Sequence, residues 1–89
     1  MKIIPIYTTE KQLIEGVLAE HRTAQKALYD RFSPKMYAVC SRYFRDQSLA
    51  EDMLMEGFLK VFSKLHSFAF QGSFEGWLRK IFVRICLDE

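Results

Sequence analysis

Long hydrophobic runs are missing from this sequence. No apolar stretch approaches the ~20 residues that a membrane-spanning helix needs, and residues 1–12 lack the length and the small-residue cleavage site of a signal peptide. Both absences favour the cytoplasm. The two cysteines, Cys40 and Cys86, form no CxxC pair and have no histidine nearby in sequence to complete a metal set. We therefore expect both to be buried, reduced thiols.

Motifs of enzyme chemistry are also missing. The chain has no glycine-rich phosphate loop, no HExxH, no GxSxG and no nucleophile with an evident base. His21 and His66 fall at predicted helix ends, where an imidazole can bond the terminal carbonyls, and no cysteine or carboxylate set accompanies them. The sequence therefore predicts no catalytic residue, no metal site and no cofactor.

Strong charge of either sign is lacking too. A formal net charge of +2 is too small to demand a nucleic-acid partner by itself. What is present is the composition of one small folded domain: 89 residues, 49% hydrophobic, 15% aromatic and 27% charged. DNA binding, if it occurs, must rest on the distribution of the charges or on a partner that shares the contacts.

Apolar residues recur at helical spacing along most of the chain, and no segment alternates as a strand would. The pattern predicts an all-α fold, a small bundle of about four helices. Residues 1–8 are expected to be an extended N-terminal arm and residues 9–89 the domain. Pro34 interrupts the second helix, where we expect a kink or a restart capped by Ser33.

Helix starts are predicted from residues with N-cap chemistry. Thr9 with Gln12 and Ser48 with Glu51 have the spacing of capping boxes. The first helix is expected to end near His21. The four predicted starts are Thr9, Thr23, Ser48 and Ser73.

The stretch at residues 48–65, SLAEDMLMEGFLKVFSKL, is two-sided. Its core stripe consists of Ala50, Leu54, Phe58, Val61, Phe62 and Leu65. On the opposite side Asp52 and Glu56 lie one turn apart, bracketed by the large apolar residues Leu49, Met53, Met55 and Leu59. A helix that faces only solvent would not carry that apolar surface, so we expect a second contact face for a basic and partly apolar partner. As a catalytic or metal-binding pair, the two carboxylates would need inward-facing partners that the pattern does not offer.

Two aromatic residues lie in the predicted loop at residues 66–72, HSFAFQG. Phe68 and Phe70 either tuck into the core or offer stacking platforms to unpaired bases, and composition does not choose between these. The last helix is predicted to carry a core stripe flanked by basic residues. We interpret Trp77 as part of that core, with a wedge against an opened duplex as the alternative.

Several separate blocks, in order, carry a resemblance to a known family. They are RYF-RD, AED with its following E and FLKVF, the aromatic loop, SFEGWL and the terminal LD; with the upstream ALYDRFSPKMYAVCSRYF, the resemblance covers about residues 10–89. Together they resemble the second conserved region of bacterial sigma factors, and most closely that of the extracytoplasmic-function group.

The resemblance implies a subunit that binds core RNA polymerase and opens promoters. The face that would dock on the clamp helices of the largest catalytic subunit consists of Leu49, Asp52, Met53, Met55, Glu56 and Leu59. In such sigma factors the loop captures a base flipped from the non-template strand of the minus-ten element. Here the loop residues would be His66, Ser67, Phe68, Ala69, Phe70 and Gln71, and Lys80 and Arg84 would hold the DNA backbone.

Three positions depart from the pattern of the family. Met55 replaces a usual Gln, Arg84 replaces a frequent Asn, and Ala69 stands where a basic residue is usual. These changes bring into question one polar clamp contact and the base preference of the pocket. We expect the natural protein to continue into the helix-turn-helix domain of the family, which these residues lack. The alternative function is a protein-interaction module that keeps this fold without promoter opening, and that titrates polymerase or is held by an anti-sigma protein.

Overall fold

The computed structural model describes Tyr7 and residues 9–88, and this part of the chain is all helix and connecting loop, with no strand. The all-α prediction is therefore confirmed. Of the predicted arm, every residue except Tyr7 lies outside the described residues, as does Glu89. The helices are α1 (Glu10–Leu18), α2 (Arg22–Tyr43), α3 (Gln47–Lys64) and α4 (Phe74–Asp88), with a short 3₁₀ turn at Leu65–Ser67.

The predicted cap of α1 is confirmed, because the Thr9 hydroxyl accepts a hydrogen bond from the Gln12 backbone N–H at 3.1 Å. The end of α1 comes earlier than predicted. Glu20 adopts a left-handed conformation with φ of 63°, and the amides of Glu20 and His21 donate to the carbonyls of Val17 and Gly16. This is the Schellman arrangement, which ends the helix before His21.

The predicted start of α3 is wrong by two residues. Asp46, not Ser48, is the N-cap, and its carboxylate accepts from the backbone amides of Ser48 and Leu49 at 2.8 and 3.4 Å. A carboxylate at that position satisfies two free amides and also meets the positive end of the helix dipole. Glu51 bonds Gln47 instead of closing a capping box with Ser48.

The start of α4 is as predicted, since the Ser73 hydroxyl accepts from the Gly76 amide at 3.1 Å. The second helix differs from prediction. It begins at Arg22, one residue before Thr23, and continues through Pro34 to Tyr43 without a restart at Ser33.

Helix α2 is central to the bundle and packs against each of the other three helices. Phe58 of α3 links α3 to two other helices. Its ring centroid lies 4.8 Å from that of Tyr29 of α2 and 5.2 Å from that of Phe82 of α4. The core stripe predicted for α3 is buried except for Phe62, which is half-buried. Beside Phe58, Gly57 lies directly against the Phe82 ring, so the two helices approach closely at this point.

Both cysteines are buried and free, as predicted. Cys40 on α2 and Cys86 on α4 are neighbours across the helix interface. Burial, with a smaller contribution from the neighbouring Cys86 thiol, raises the pKa of the Cys40 thiol to about 12.

The helix cap gives a first test of this fold. Asp46→Ala is expected to lower the free energy of unfolding by about 1 kcal/mol, because two amides at the start of α3 lose their acceptor. Ser48→Ala, inside the first turn, is the matched control and should change stability by less than about 0.5 kcal/mol. Urea denaturation followed by circular dichroism measures both free energies of unfolding. A larger loss for Ser48→Ala than for Asp46→Ala would instead identify Ser48 as the N-cap.

The close approach of α3 and α4 gives a second test. Gly57→Ala would place a Cβ atom in steric overlap with ring atoms of Phe82, which is fully buried. We expect a loss of about 1–3 kcal/mol in the free energy of unfolding. Met55→Ala on the exposed side of the same helix serves as the control, with a change within about 0.5 kcal/mol. Equal effects of the two variants in thermal unfolding would contradict this packing.

Candidate functional site

The outer side of α3 carries exposed apolar and acidic residues together. Met55 is 58% exposed and Leu59 is 64% exposed, and Leu49 extends the apolar surface toward the start of the helix. Asp52 and Glu56 lie between them and are exposed. Within the described part of the chain, neither carboxylate takes part in a salt bridge. These five residues are called the outer face of α3 below.

Met53 does not belong to this face. It is only 3% exposed and packs in the core, so its predicted place on the contact surface is wrong. The reason is the helical period: Met53 lies three residues after Ala50 and four before Gly57, both of which are buried. The grouping of Met53 with the apolar residues that bracket Asp52 and Glu56 predicted an outer position, but a rotation of 100° per residue places Met53 on the buried side of the helix.

A groove of about 770 Å³ between α3 and α4 continues from the outer face of α3. Glu56 and Leu59 line its beginning, and Lys60, Lys64 and Arg84 supply positive charge around it. The two lysines are not among the site residues predicted from the sequence. Their spacing of one helical turn is the signal that places them on one side of α3.

The connection between α3 and α4 separates its two phenylalanines. Phe68 is 8% exposed, and its ring centroid lies 5.2 Å from that of Phe74 and 5.4 Å from that of Trp77. Phe70 is 45% exposed and touches Phe68 at a centroid distance of 5.1 Å. Of the two possibilities left open by the sequence, Phe68 takes the core position. Its ring is therefore not the exposed stacking platform that was the other possibility, whereas Phe70 is available from solvent.

Phe70 has an unusual backbone. Its φ is 58°, in the left-handed region that bulky side chains rarely adopt, and Gly72 follows with φ of 76°. A left-handed conformation costs a non-glycine residue roughly 1–2 kcal/mol. Backbone strain of this kind concentrates at functional sites, where the surrounding structure holds it. The strain here displays an aromatic ring at the surface.

Trp77 is partly buried and stacks on Phe74 at a centroid distance of 5.8 Å and an interplanar angle of 20°. This agrees with its interpretation as a core residue. Phe74 in turn meets Phe32 of α2 edge-on at 5.4 Å. The connection is thus anchored on the bundle through a continuous aromatic cluster, defined here as Phe32, Phe68, Phe74 and Trp77.

The remaining residues predicted to contact DNA are all at the surface. In the connection, His66, Ser67, Ala69 and Gln71 are exposed, and the Ser67 hydroxyl donates to the Lys64 carbonyl at 2.6 Å. Lys80 and Arg84 are exposed on α4, one helical turn apart.

An ion pair fixes the beginning of α4 to α2. Lys35 donates to the Glu75 carboxylate at 2.8 Å, and this hydrogen bond holds the pKa of Glu75 below its ordinary value. It is the single salt bridge that joins two helices among the described residues.

The described residues contain no group of three or more histidine, cysteine or acidic side chains placed to hold a metal ion. None of the four helices has the length and hydrophobicity to cross a membrane.

Comparison with known proteins gives consistent matches. The model of the sigma-70 region 2 family matches residues 28–89. The chain is 27% identical over 78 residues to the ECF RNA polymerase sigma factor SigW of Bacillus subtilis (strain 168), in an alignment that covers 88% of this chain and 42% of that protein. It therefore spans less than half the length of this curated relative.

A solved structure is similar over nearly the whole chain. It is the NMR structure of the complex formed by an engineered region 2 of sigmaE with GTAAAA, at a TM-score of 0.82 and 27% identity. The match covers 96% of this chain and 88% of that one. The helical bundle agrees with this solved domain, and the family model covers more than two thirds of the sequence. The chain belongs to the sigma-70 region 2 family.

Proposed function

We propose that this chain is the domain of a sigma factor that binds core RNA polymerase and recognises and melts the minus-ten promoter element to initiate transcription. The observation that carries the proposal is the similarity to a region 2 domain solved in complex with GTAAAA, over 96% of the chain. The family in general is not one of enzymes, and the proposed role requires no catalytic residue and no cofactor. The polymerase and the promoter are cytoplasmic partners.

The outer face of α3 is the proposed polymerase-binding surface. It combines the exposed apolar residues Leu49, Met55 and Leu59 with the carboxylates of Asp52 and Glu56, which form no salt bridge with any described residue. Exposed apolar groups favour a protein partner, because their burial in an interface removes them from water. The carboxylates favour a partner surface with basic groups. The clamp helices of the largest polymerase subunit are the partner that the family resemblance implies.

The α3–α4 connection is the proposed site for a base flipped out of the non-template strand. Flipping a base costs a few kcal/mol of unstacking, and stacking on an aromatic ring returns about 1–3 kcal/mol. Phe70 is the exposed ring available for that contact, held from below by Phe68. His66, Ser67, Ala69 and Gln71 surround it with exposed polar and small groups.

Lys80 and Arg84 are the proposed contacts to the DNA backbone. They lie one turn apart on the exposed side of α4, which begins directly after the connection. Two or three phosphate contacts give weak binding that falls as salt is added. The modest net charge of +2 is compatible with this role if polymerase supplies the other DNA contacts.

A second candidate function is an interaction module that binds polymerase or an anti-sigma protein without opening promoters. The connection is apolar where Ala69 lies beside Phe70. This character favours the interaction module over promoter opening, for which a pocket rich in polar groups is expected. Binding to single-stranded minus-ten oligonucleotides separates the two functions. A promoter-opening domain discriminates between base sequences, whereas an interaction module shows only salt-sensitive attraction that ignores sequence.

Charge reversal on α3 tests the polymerase surface. Asp52→Arg or Glu56→Arg is expected to weaken association with core polymerase at least about tenfold, because like charges then face each other across the interface. The melting temperature should stay within a few degrees, since both side chains are exposed. Glu15→Arg on α1, also exposed, is the matched control for the change in charge. Unchanged binding by both α3 variants in fluorescence anisotropy would refute the assignment.

The two phenylalanines of the connection are expected to behave differently. Phe70→Ala should weaken binding to single-stranded minus-ten DNA by about 1–3 kcal/mol while leaving stability nearly unchanged, because the ring is half exposed. Phe68→Ala should lower the free energy of unfolding by about 3–5 kcal/mol, because it leaves a cavity among Phe74 and Trp77. Oligonucleotide titration and thermal unfolding of the two variants measure the difference. A large drop in melting temperature for Phe70→Ala would assign that ring to the core instead.

A further inference from the structure

Helices α2 and α4 are joined by side-chain contacts that follow one another in the same order along both helices. Phe32 meets Phe74 edge-on at a centroid distance of 5.4 Å, and the ion pair described above lies beside this contact. Further along both helices, Cys40 is the neighbour of Cys86. The two helices therefore run in the same direction, and the thiols meet at the end of the interface that is distant from the α3–α4 connection.

The proposed function uses neither thiol. Cys40 is fully buried, Cys86 is 6% exposed, and both are free. Burial is the largest cause that raises the pKa of each thiol, and in each case the other cysteine also contributes to the shift. Such a mutual influence requires the two sulfur atoms to lie close together. The core thus contains a pair of adjacent nucleophilic groups on two different helices.

A covalent bond between these two sulfur atoms would have a large effect on the fold. It would close a loop that contains the whole of α3. A disulfide that closes a long loop stabilises a domain chiefly because it restricts the unfolded chain. Because the beginning of α4 is already fixed to α2 by the aromatic contact and the ion pair, the bond would attach α4 to α2 near both of its ends.

We propose that Cys40 and Cys86 are a reversible redox pair, which forms a disulfide by exchange with a low-molecular-weight disulfide of the glutathione type and thereby locks α2 to α4. This inference does not rest on the proposed function. In a reducing compartment, a protein disulfide of this kind is typically transient and redox-sensing. The locked state would be favoured when the ratio of small disulfide to small thiol rises.

The exchange takes place in two steps. The thiolate of Cys86, the less buried of the two, attacks one sulfur of the small disulfide, and a mixed disulfide forms as one small thiolate leaves. The thiolate of Cys40 then attacks the Cys86 sulfur and displaces the second small thiolate. The chain loses two protons and two electrons, and the small disulfide is reduced to two thiols. Excess small thiol reverses both steps.

Equilibration of the 89-residue chain with reduced and oxidised glutathione tests the bond. After quenching with acid, mass spectrometry is expected to show a monomer that is lighter than the reduced chain by two hydrogen atoms. Tenfold dilution of both forms of glutathione at a fixed ratio should raise the ratio of oxidised to reduced chain about tenfold, because two small thiols are released. A mixed disulfide releases one small thiol, so its proportion would not change on dilution.

Thermal unfolding of the same samples tests the lock. The oxidised chain is expected to melt at least roughly 8 °C above the reduced chain. Cys40→Ala and Cys86→Ala are the matched controls, and each should melt at the same temperature in oxidising and reducing buffer. Since each variant is compared with itself, any stability lost through the substitution does not affect the result.

The outcomes are distinct. If mixed disulfides or covalent dimers are the only oxidised species, the two thiols do not form a pair and the inference is overturned. An internal disulfide whose melting temperature is equal to or below that of the reduced chain would show a strained bond and overturn the lock. Failure of the reduced chain to bind polymerase or promoter DNA would overturn the proposed function and leave this inference standing.

Discussion

The close contact between Gly57 of α3 and Phe82 of α4 is the constraint on which the rest of this structure depends. Without a side chain at residue 57, the two helices approach until the Phe82 ring fills the space and meets Phe58 edge-on. Phe58 also contacts Tyr29, so one aromatic residue joins α2, α3 and α4 through two ring contacts. Because the inner side of α3 packs against α2 and α4 in this way, the outer face of α3 is the side available to a partner.

The geometry of the α3–α4 connection follows from that pairing. Its anchor is the aromatic cluster, in which Phe68 packs against Phe74 and Trp77. Lys35 and Glu75 add an electrostatic link between α2 and the first turn of α4. A connection tied down at these points can hold Phe70 in a strained backbone conformation with its ring at the surface. Preorganisation of this kind lowers the entropy lost when a base is bound.

Helical periodicity predicted most of this fold, because a core stripe is repeated in every helix and is read from several residues at once. The wrong predictions concern features of the structure that depend on a single local contact. Asp46 rather than Ser48 caps α3, since an N-cap is chosen by local backbone geometry among neighbouring residues with similar chemistry. Met53 was misplaced because it was grouped with the apolar residues that bracket Asp52 and Glu56, although its spacing from Ala50 and Gly57 places it on the buried side. The burial of Phe68 and the exposure of Phe70 depend on the left-handed backbone conformation at Phe70. The amino-acid composition of the loop does not predict that conformation for a bulky residue.

The buried thiols of Cys40 and Cys86 make the chain a reporter of its own opening. Thiolate, not thiol, reacts with alkylating reagents, and a pKa of about 12 keeps Cys40 protonated at neutral pH while the bundle is closed. Once α2 and α4 separate, the thiol returns to the pKa of a free cysteine, near 8.5. The rate of alkylation therefore reports how often α2 and α4 separate. A polymerase or DNA strand that grips the closed bundle would slow that chemistry without touching either sulfur.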